Sequence, residues 1–310
     1  MTNETVRLTI GRVPPEQRET HKAGKTYKPD GDGGFEKASG HDLPYRLEWE
    51  EREFAATVDA LADVVRELQD DPYAVITRGG LADHIKARLP VYMDDDAPVW
   101  KGGRKTVRKH GRAGTLEDVA TQLLVIDVDG ETEPEGIDFR ADPGAAARWF
   151  IHNRLPAEFQ GARCVWKVSS SGGTEPGIYL HLFFLLDRPL SRYPLESWAK
   201  WWNNRGGSKL VDPAPFRDWQ ILYTSRPSFI DGAVDPFPGD ARMGALDGDR
   251  ETVELYVPTA DECQEAAEAA DAEAGQRARR AGIENEDARV SDGITQIGRG
   301  WTSWLRAIGD

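Results

Sequence analysis

The sequence is poor in cysteine, with only Cys164 and Cys263 among 310 residues. Two cysteines cannot form a disulfide framework, and they cannot form a zinc module made only of cysteine ligands. This content is typical of a reducing, intracellular compartment, so we expect a cytoplasmic protein. No stretch approaches the ~20 apolar residues of a membrane-spanning helix, and the N-terminus lacks a basic segment followed by an apolar one. We therefore expect no membrane partner and no secretion signal.

The chain also lacks an excess of positive charge, because its formal net charge is −14. Proteins that coat nucleic acid through bulk attraction depend on clustered Lys and Arg, so any nucleic-acid contact must be local. The densest basic cluster follows three consecutive aspartates and contains no acid. It consists of Lys101, Arg104, Lys105, Arg108, Lys109 and Arg112. We predict a mobile basic loop that either contacts a phosphate backbone or only balances the aspartates before it.

The first 45 residues combine one short alternating run with a polar stretch. The run extends from Val6 to Ile10, and the region from Lys22 to Gly40 is rich in Gly, Asp and Lys. Such a composition offers little apolar surface to bury, which predicts an irregular arm over residues 1–45. From Glu50 to Gln69, in contrast, apolar residues recur every three or four positions. That period indicates an amphipathic helix leading into a strand at residues 73–77.

The end of the chain has a different character from its centre. After Pro258 the composition becomes rich in Ala and Glu, which predicts a helix over residues 260–281. A second short helix is expected around Trp301, Trp304 and Leu305. We therefore predict three parts. They are an irregular arm (1–45), a central domain (46–258) and a helical appendage or start of a linker (259–310).

Between Gln122 and Thr224, apolar runs alternate with segments of helical period. The predicted order is strand 123–128, helix 145–153, strand 163–169, strand 178–186, helix 195–202 and strand 219–224. This β-α-β-β-α-β order predicts an α+β protein with an RRM-like, or ferredoxin-like, sheet. In that arrangement the first and third strands lie side by side at the centre of the sheet.

The first of these strands ends in two carboxylates, Asp127 and Asp129, separated by one residue. Residues i and i+2 of a strand project to the same side, so both carboxylates face one point. Two acids on one face repel each other unless a cation neutralises them, and pairs of hard cations bind to such oxygen clusters. The alternative is an Asp-containing turn that caps the strand before Gly130. We predict a metal-binding or catalytic role.

The third strand carries His181 between apolar residues, and the turn before it contains Ser169, Ser170 and Ser171. Taken alone, a histidine in a central strand is most often a hydrogen-bonded core residue. Beside the strand of Asp127, it can instead donate a hydrogen bond to a phosphate oxygen. The Ser/Gly turn supplies hydroxyl and backbone N–H groups for the same purpose.

Two charged residues flank the last predicted strand. Asp212 precedes that strand, which is expected to return beside the first, so Asp212 is a candidate third metal ligand. An Asp before Pro is otherwise common in turns. Arg226 follows the strand, and its planar guanidinium suits a triphosphate.

Asp127-x-Asp129, a Ser/Gly turn before His181, and Val211-Asp212 together resemble the three motifs of the archaeo-eukaryotic primase superfamily. Within it, the chain is most similar to the primase-polymerases of phages, plasmids and other mobile elements. The similarity extends from Tyr73 to Val257, and the later Arg226-Pro227 also matches a nucleotide-holding basic residue of that family.

Two departures from the family pattern bear on the site. The family usually has a serine two residues before the histidine, where this chain has Tyr179, so the three serines of the turn stay alternatives for a nucleotide contact. Some relatives carry a zinc knuckle, which this chain lacks the cysteines to make, so we expect no zinc.

The resemblance implies a DNA primase/polymerase, a nucleotidyltransferase that acts in DNA replication of a mobile element or phage. A 3′-hydroxyl would attack the α-phosphate of a nucleoside triphosphate on a single-stranded DNA template, with release of pyrophosphate. Two Mg²⁺ or Mn²⁺ ions would be held by Asp127, Asp129 and Asp212. The catalytic domain, residues 46–258, would combine an RRM-like sheet with an additional α/β subdomain.

The resemblance also implies binding roles for other residues. The nucleotide-binding candidates are Lys167, Ser169, Ser170, Ser171, His181 and Arg226, and the basic cluster is the candidate template contact. The chain ends soon after a helix, and relatives often continue into a helicase, so we expect a fused or separate replicative helicase as partner. The helix of Trp198, Trp201 and Trp202 either stacks nucleobases on these rings or buries them.

Two other functions are compatible with parts of this pattern. A haloacid dehalogenase-like phosphatase also places an Asp-x-Asp pair after an apolar strand, but it expects Thr where Glu131 stands, and a doubly wound parallel sheet. A non-catalytic replication-initiator module would bind DNA through an RRM-like fold and has no need for three converging carboxylates.

Overall fold

The protein is a mixed α+β structure with several small sheets. The computed structural model describes residues 5–44, 46–83, 91–94, 97–104, 115–206, 209–237 and 239–280. Its strands are β1 (Thr5–Arg12), β2 (Thr26–Pro29), β3 (Phe35–Ser39), β4 (Arg46–Ala55), β5 (Ala74–Thr77), β6 (Gly80–Leu81), β7 (Val91–Asp94), β8 (Ala97–Arg104), β9 (Leu116–Glu117), β10 (Thr121–Glu131), β11 (Cys164–Val168), β12 (Ile178–Leu190), β13 (Ser228–Phe229), β14 (Met243–Leu246) and β15 (Thr252–Val253). The helices with bounds inside these ranges are α1 (Val58–Asp70), α2 (Pro143–Arg154), α3 (Arg192–Gly206) and α4 (Ala260–Arg280). The α+β class expected from the sequence is confirmed.

The sheet that carries the predicted site has the strand order β10-β12-β11-β14, with β15 on β12. The strands predicted at 123–128, 163–169 and 178–186 are its β10, β11 and β12. The first and third predicted strands, β10 and β12, pair directly and antiparallel. In this register Asp127 lies opposite His181, and His181 lies opposite Lys167 of β11. The sheet therefore places these three residues in one row across adjacent strands.

The strand predicted at 219–224 is not formed. Leu222 makes an isolated antiparallel bridge with Ile76 of β5, and the rest of the segment has no ladder. Pro213 and Pro215 precede it in a short 3₁₀ turn, and Gln220 N donates to Arg217 O in a further turn. Proline has no N–H to donate to a neighbouring strand, which disfavours a strand in this part of the chain. The apolar residues of 219–224 alternate because they pack between other elements of the fold, not because they belong to a strand.

The sheet buries both of its faces, which explains the almost unbroken apolar run in β10. Leu124, Ile126 and Val128 point to the core formed with α2 and α3. Leu123 and Val125 point to the opposite core, formed with α1 and the strands before it. Because side chains alternate along a strand, Asp127 and Asp129 continue the second of these faces. The site thus lies where the sheet meets the N-terminal part of the chain.

The N-terminal 45 residues are not the irregular arm that the sequence suggested. β1 lies inside a five-stranded sheet of order β5-β1-β4-β8-β7, and Val6, Leu8 and Ile10 of its alternating run are buried. The β2–β3 hairpin and β13 form a separate three-stranded sheet, in which β2 pairs parallel with β13. The composition of the first 45 residues does not reveal these strands, because the residues with which they pair are distant in sequence.

The helix expected from Glu50 begins later. Residues up to Ala55 belong to β4, and α1 begins after Thr57, whose Oγ accepts a hydrogen bond from Ala60 N at 3.2 Å. A threonine acceptor of this kind satisfies one of the free N–H groups of the first turn. Leu61, Val65 and Leu68 form the buried face of α1, as the helical period predicted.

The chain divides into two compact units, residues 1–259 and 260–310. The second unit contains α4, which agrees with the helix predicted at 260–281. The second short helix expected around Trp301, Trp304 and Leu305 lies outside the described residues. Among the helices that are described, none is long and apolar enough to cross a membrane.

Candidate functional site

Two carboxylates stand at the open end of β10. Asp127 is half-buried, Asp129 is exposed, and Asp127 Oδ1 lies 3.3 Å from His181 Nε2 on the paired strand. Although Asp129 is exposed as a residue, partial dehydration of its carboxyl, and secondly the charge of Asp127, raise its pKa. The two acids therefore behave as like charges on one face, which favours a bound cation between them.

The end of β10 is shaped by a glycine. The pairing with β12 shifts register between Asp129 and Glu131, and Gly130 between them has a φ of +77°. A Cβ at this position would approach the Tyr179 hydroxyl oxygen to 3.2 Å. Glycine adopts this backbone conformation without the steric cost that other residues meet, so the strand can bulge after Asp129 and pair again at Glu131.

His181 is held in the wall of the site. It is 7% exposed, its Nε2 faces Asp127, and its Nδ1 has no hydrogen-bond partner among the described residues. A buried ring nitrogen without a partner is unusual in a folded protein, because it forfeits its bonds to water. This histidine is therefore not the satisfied core residue that its strand position alone would suggest.

The serine turn between β11 and β12 is a compact loop. Ser169 N donates to Tyr179 O at 3.0 Å, and Gly172 N donates back to Ser169 O at 3.1 Å. Ser170 and Ser171 are buried by the surrounding chain. Gly173, with a φ of +75°, packs against Phe237 at the far side of the turn. These contacts fix the backbone that carries the three hydroxyls.

Asp212 reaches the site from the loop after α3. The side chain of Asn203, in the last turn of α3, bonds to Leu210 N, Val211 N and Val211 O at 2.8–2.9 Å and so holds the loop. Asp212 Oδ1 accepts from Ala214 N at 3.1 Å, and its Oδ2 lies 3.4 Å from Lys209 Nζ. This carboxylate combines the turn role and the site position that the sequence left as alternatives.

These residues share one cleft of about 200 Å³. From the predicted set it brings together Asp127, Asp129, Asp212, His181, Ser169, Ser170 and Ser171. A larger cleft of about 360 Å³ lies at the opposite end of β10. Its charged residues are already paired, Arg7 with Glu53 at 3.2 Å and Arg78 with Asp118 at 2.8 Å, so it is the weaker candidate.

Two predicted nucleotide-binding residues do not line the cleft. Lys167 is fully buried, and its Nζ donates to the carbonyl of Val168 at 3.0 Å. Arg226 is turned away, with its guanidinium 2.5 Å from Asp70 and its backbone N bonded to Gln69 O. The direction of each side chain is set by the residues packed around it. The position of a residue within a sequence motif does not reveal that packing.

The predicted template contacts are only partly described. Lys101 and Arg104 lie on β8, so this part of the cluster is a strand instead of a loop. The others, Lys105, Arg108, Lys109 and Arg112, lie outside the described residues. Among the tryptophans of α3, Trp198 is fully buried, and Trp201 and Trp202 pack against the same core. Trp198 is therefore unable to stack on a nucleobase.

Among the cleft residues that the sequence did not predict are Lys25, His41 and Tyr223. The rings of His41 and Tyr223 stack with centroids 3.5 Å apart, and His41 Nδ1 bonds to Ala23 O. Burial lowers the pKa of His41 to about 4, so the ring is neutral at pH 7. Since the bond to a carbonyl requires a proton on Nδ1, Nε2 is left as an acceptor. No periodicity or motif marks these residues.

The fit to a divalent cation rests on Asp127 and Asp129. No three Asp, Glu, His or Cys side chains within the described ranges are close enough together, as they stand, to surround one ion. The two carboxylates of β10 nevertheless share a face and repel each other, and hard cations prefer such oxygen ligands. Asp212 lines the same cleft, where it is bonded to Lys209 and Ala214.

Comparisons of the chain with protein-family models, with curated proteins and with solved structures gave no match.

Proposed function

We propose that this protein is a template-dependent nucleotidyltransferase, a DNA primase/polymerase that joins nucleoside triphosphates. One observation carries the proposal. Asp212, which is distant in sequence from Asp127 and Asp129, lines a single cleft with them, with His181 and with the serine turn. Their order along the chain is the order of the motifs that they resemble. A chance combination of a capping Asp, a turn Asp and a core histidine would not be expected to meet in one cleft.

In this proposal each side chain of the cleft has a separate task. Asp127, Asp129 and Asp212 would hold two Mg²⁺ or Mn²⁺ ions, whose chemistry would be to lower the pKa of a 3′-hydroxyl and to offset the negative charge that develops in the transition state. His181 donates a hydrogen bond to a phosphate oxygen, for which its position beside Asp127 is suitable. The hydroxyl and N–H groups of the serine turn orient the triphosphate.

We further propose that the sheet is RRM-like. The order β10-β12-β11 is that of the first, third and second strands of such a sheet, and α2 and α3 follow the first and third strands. The position beside β10, where a fourth strand would pair, has no ladder partner among the described residues, and β14 extends the opposite edge. The proposal is thus a three-strand core with a modified edge.

The phosphatase reading is less consistent with the geometry. It requires a doubly wound parallel sheet around the Asp-x-Asp strand, whereas β10 pairs antiparallel with β12, and β12 antiparallel with β11. The initiator reading leaves the carboxylates of the cleft without a task. A single-stranded DNA template, contacts from the basic cluster and a replicative helicase remain proposals that follow from the resemblance.

The test is a metal-dependent incorporation assay with the unaltered chain. Labelled deoxynucleoside and nucleoside triphosphates would be supplied on primed and unprimed single-stranded templates with Mg²⁺ or Mn²⁺, beside a phosphatase assay on the same preparation. We expect product extension that stops when the metal is chelated. Phosphate release from a monoester without any extension would instead favour the phosphatase, and DNA binding with neither activity would favour the initiator module.

A further inference from the structure

The polar segment before β2 enters the cleft from outside the strands that carry the carboxylates. Lys25 O accepts a hydrogen bond from Ser228 N at 2.9 Å. The preceding Gly24 packs so closely that a Cβ there would lie 3.0 Å from Arg226 O. These contacts with the chain around β13 fix the backbone of Lys25 at the edge of the cleft.

The side chain of Lys25 points to the serine turn. Its Nζ donates to Ser171 Oγ at 2.7 Å, and both residues line the cleft with Asp127 and Asp129. Within the part of the chain that is described, Lys25 has no carboxylate within 4.0 Å. Lys25 is thus a fixed cation that faces the cleft and has only a hydroxyl as partner.

A cation held in this way suits a phosphate group. An ammonium is a compact point charge with three donors, and a charge-assisted hydrogen bond to phosphate is about twice as strong as a neutral one. After donating to Ser171, Lys25 Nζ has two N–H groups left. The two other basic residues assigned to the nucleotide by sequence, Lys167 and Arg226, do not line the cleft.

We propose that Lys25 binds the phosphate groups of the nucleoside triphosphate, acting together with the hydroxyl of Ser171. The proposal rests on the proposed nucleotidyl transfer, and it assigns to the N-terminal segment a part of the binding site that the family resemblance does not cover. Lys25 takes the place that Arg226 was expected to fill. The serine turn is then one wall of the phosphate site, and the β2–β3 hairpin region is the other.

The test compares Lys25→Met with Lys25→Arg and with Lys28→Met. Lys28 lies on β2 of the same hairpin, where it pairs with Glu36 at 3.2 Å and does not line the cleft. Binding of dATP and of pyrophosphate, each with Mg²⁺, would be measured by calorimetry on the full chain. We expect Lys25→Met to weaken both by about 10- to 100-fold, Lys25→Arg to recover most of the affinity, and Lys28→Met to bind like the parent.

The outcomes separate this proposal from the proposed function. If Lys25→Met binds dATP and pyrophosphate as the parent does while the parent extends primers, the role of Lys25 is wrong and the transferase proposal stands. If the parent extends no primer but binds pyrophosphate through Lys25, the phosphate site stands and the transferase proposal fails. If the parent binds neither probe, both fail. A general loss of structure in Lys25→Met would appear as a lowered Tm, and the Lys25→Arg result then decides.

Discussion

At the residue scale, Lys167 is an ionisable side chain that is buried away from water. It is fully buried, and burial, followed by the charge of Arg242, lowers its pKa to about 7. An unfolded lysine has a pKa near 10.4, so between about pH 7 and pH 10 the unfolded chain binds more protons than the folded one. The free energy of unfolding must then rise with pH across this interval. Well below pH 7 the lysine is protonated in both states, so its titration no longer changes the free energy of unfolding.

We expect Lys167→Met to remove this dependence. A single proton contributes at most about 1.4 kcal/mol per pH unit, so the free energy of unfolding of the parent should rise relative to the variant by up to that amount per unit between pH 7 and pH 9. The measurement is urea unfolding at several pH values, with Lys28→Met as the exposed control. Parallel pH curves for the parent and Lys167→Met would show that the lysine is not neutralised by burial.

Residue types and spacing were sufficient to predict that the carboxylates and the histidine lie together, and they line one cleft. Asp127 and Asp129 follow from the period of a strand, and His181 from its place on the neighbouring strand. Lys25 and His41 could not be found in this way, because their positions depend on how the hairpin packs on β13. The direction of the Arg226 side chain could not be predicted either, because its guanidinium pairs with Asp70 on α1, a residue distant in sequence.

At the element scale, the serine turn depends on a left-handed glycine. Gly173 has a φ of +75°, and a Cβ there would come within 2.6 Å of Phe237. Gly136 is a matched control with a φ of +82° and no heavy atom within 4 Å of an added Cβ. Replacing either glycine with alanine puts a side chain on a left-handed backbone, which costs about 1–2 kcal/mol. Only at Gly173 does the added Cβ also clash with a neighbouring side chain.

We therefore expect Gly173→Ala to lower the free energy of unfolding by about 1–3 kcal/mol more than Gly136→Ala does. Urea unfolding of the two variants measures the difference directly. The nucleotide affinity of Gly173→Ala should also fall, because the serines of the turn shift with it. Equal losses of stability in the two variants would mean that the turn relaxes without strain.

Elements whose apolar residues are continuous or regularly spaced were predicted from the sequence. Elements whose pairing depends on residues distant in sequence were not. β10, β11, β12, α2 and α3 carry continuous apolar runs or helical spacing, so their existence follows from the sequence. The segment 219–224 also alternates, yet its single bridge goes to Ile76 of β5 in another sheet. The residues 50–55 fit a helical period and still form part of β4, because β1 pairs with all of them and β8 pairs with the preceding part of β4 up to Glu50.

At the scale of the whole molecule, the net charge of −14 means that the template contacts of the proposed function would have to be concentrated in one region. Replacing Arg104, Lys105, Arg108 and Lys109 with Ser should lower template affinity. It should also flatten its salt dependence by about 0.7–0.9 in log–log slope for each lost phosphate contact. Binding of a fluorescent single strand at several salt concentrations measures both quantities. An unchanged slope would mean that the template follows another surface.

The hydrophobic cores provide a second test at this scale. The three clusters of buried apolar residues that the described residues form lie within residues 1–259, the first compact unit. A chain truncated after Thr259 should therefore keep the Tm of the full chain to within a few degrees, and its nucleotide affinity should persist. A large loss of Tm in a thermal melt would show that residues 260–310 complete the fold of the first unit.

The most direct test of the central claim is the incorporation rate of Asp129→Asn. Loss of one carboxylate should abolish metal-dependent incorporation, while the Tm stays equal or rises because the repulsion with Asp127 is relieved. Asp63→Asn on α1, an exposed carboxylate that pairs with Arg66 on the same helix, is the control that should keep parental activity. Near-normal incorporation by Asp129→Asn would contradict the assignment of this cleft as a metal-dependent polymerase site.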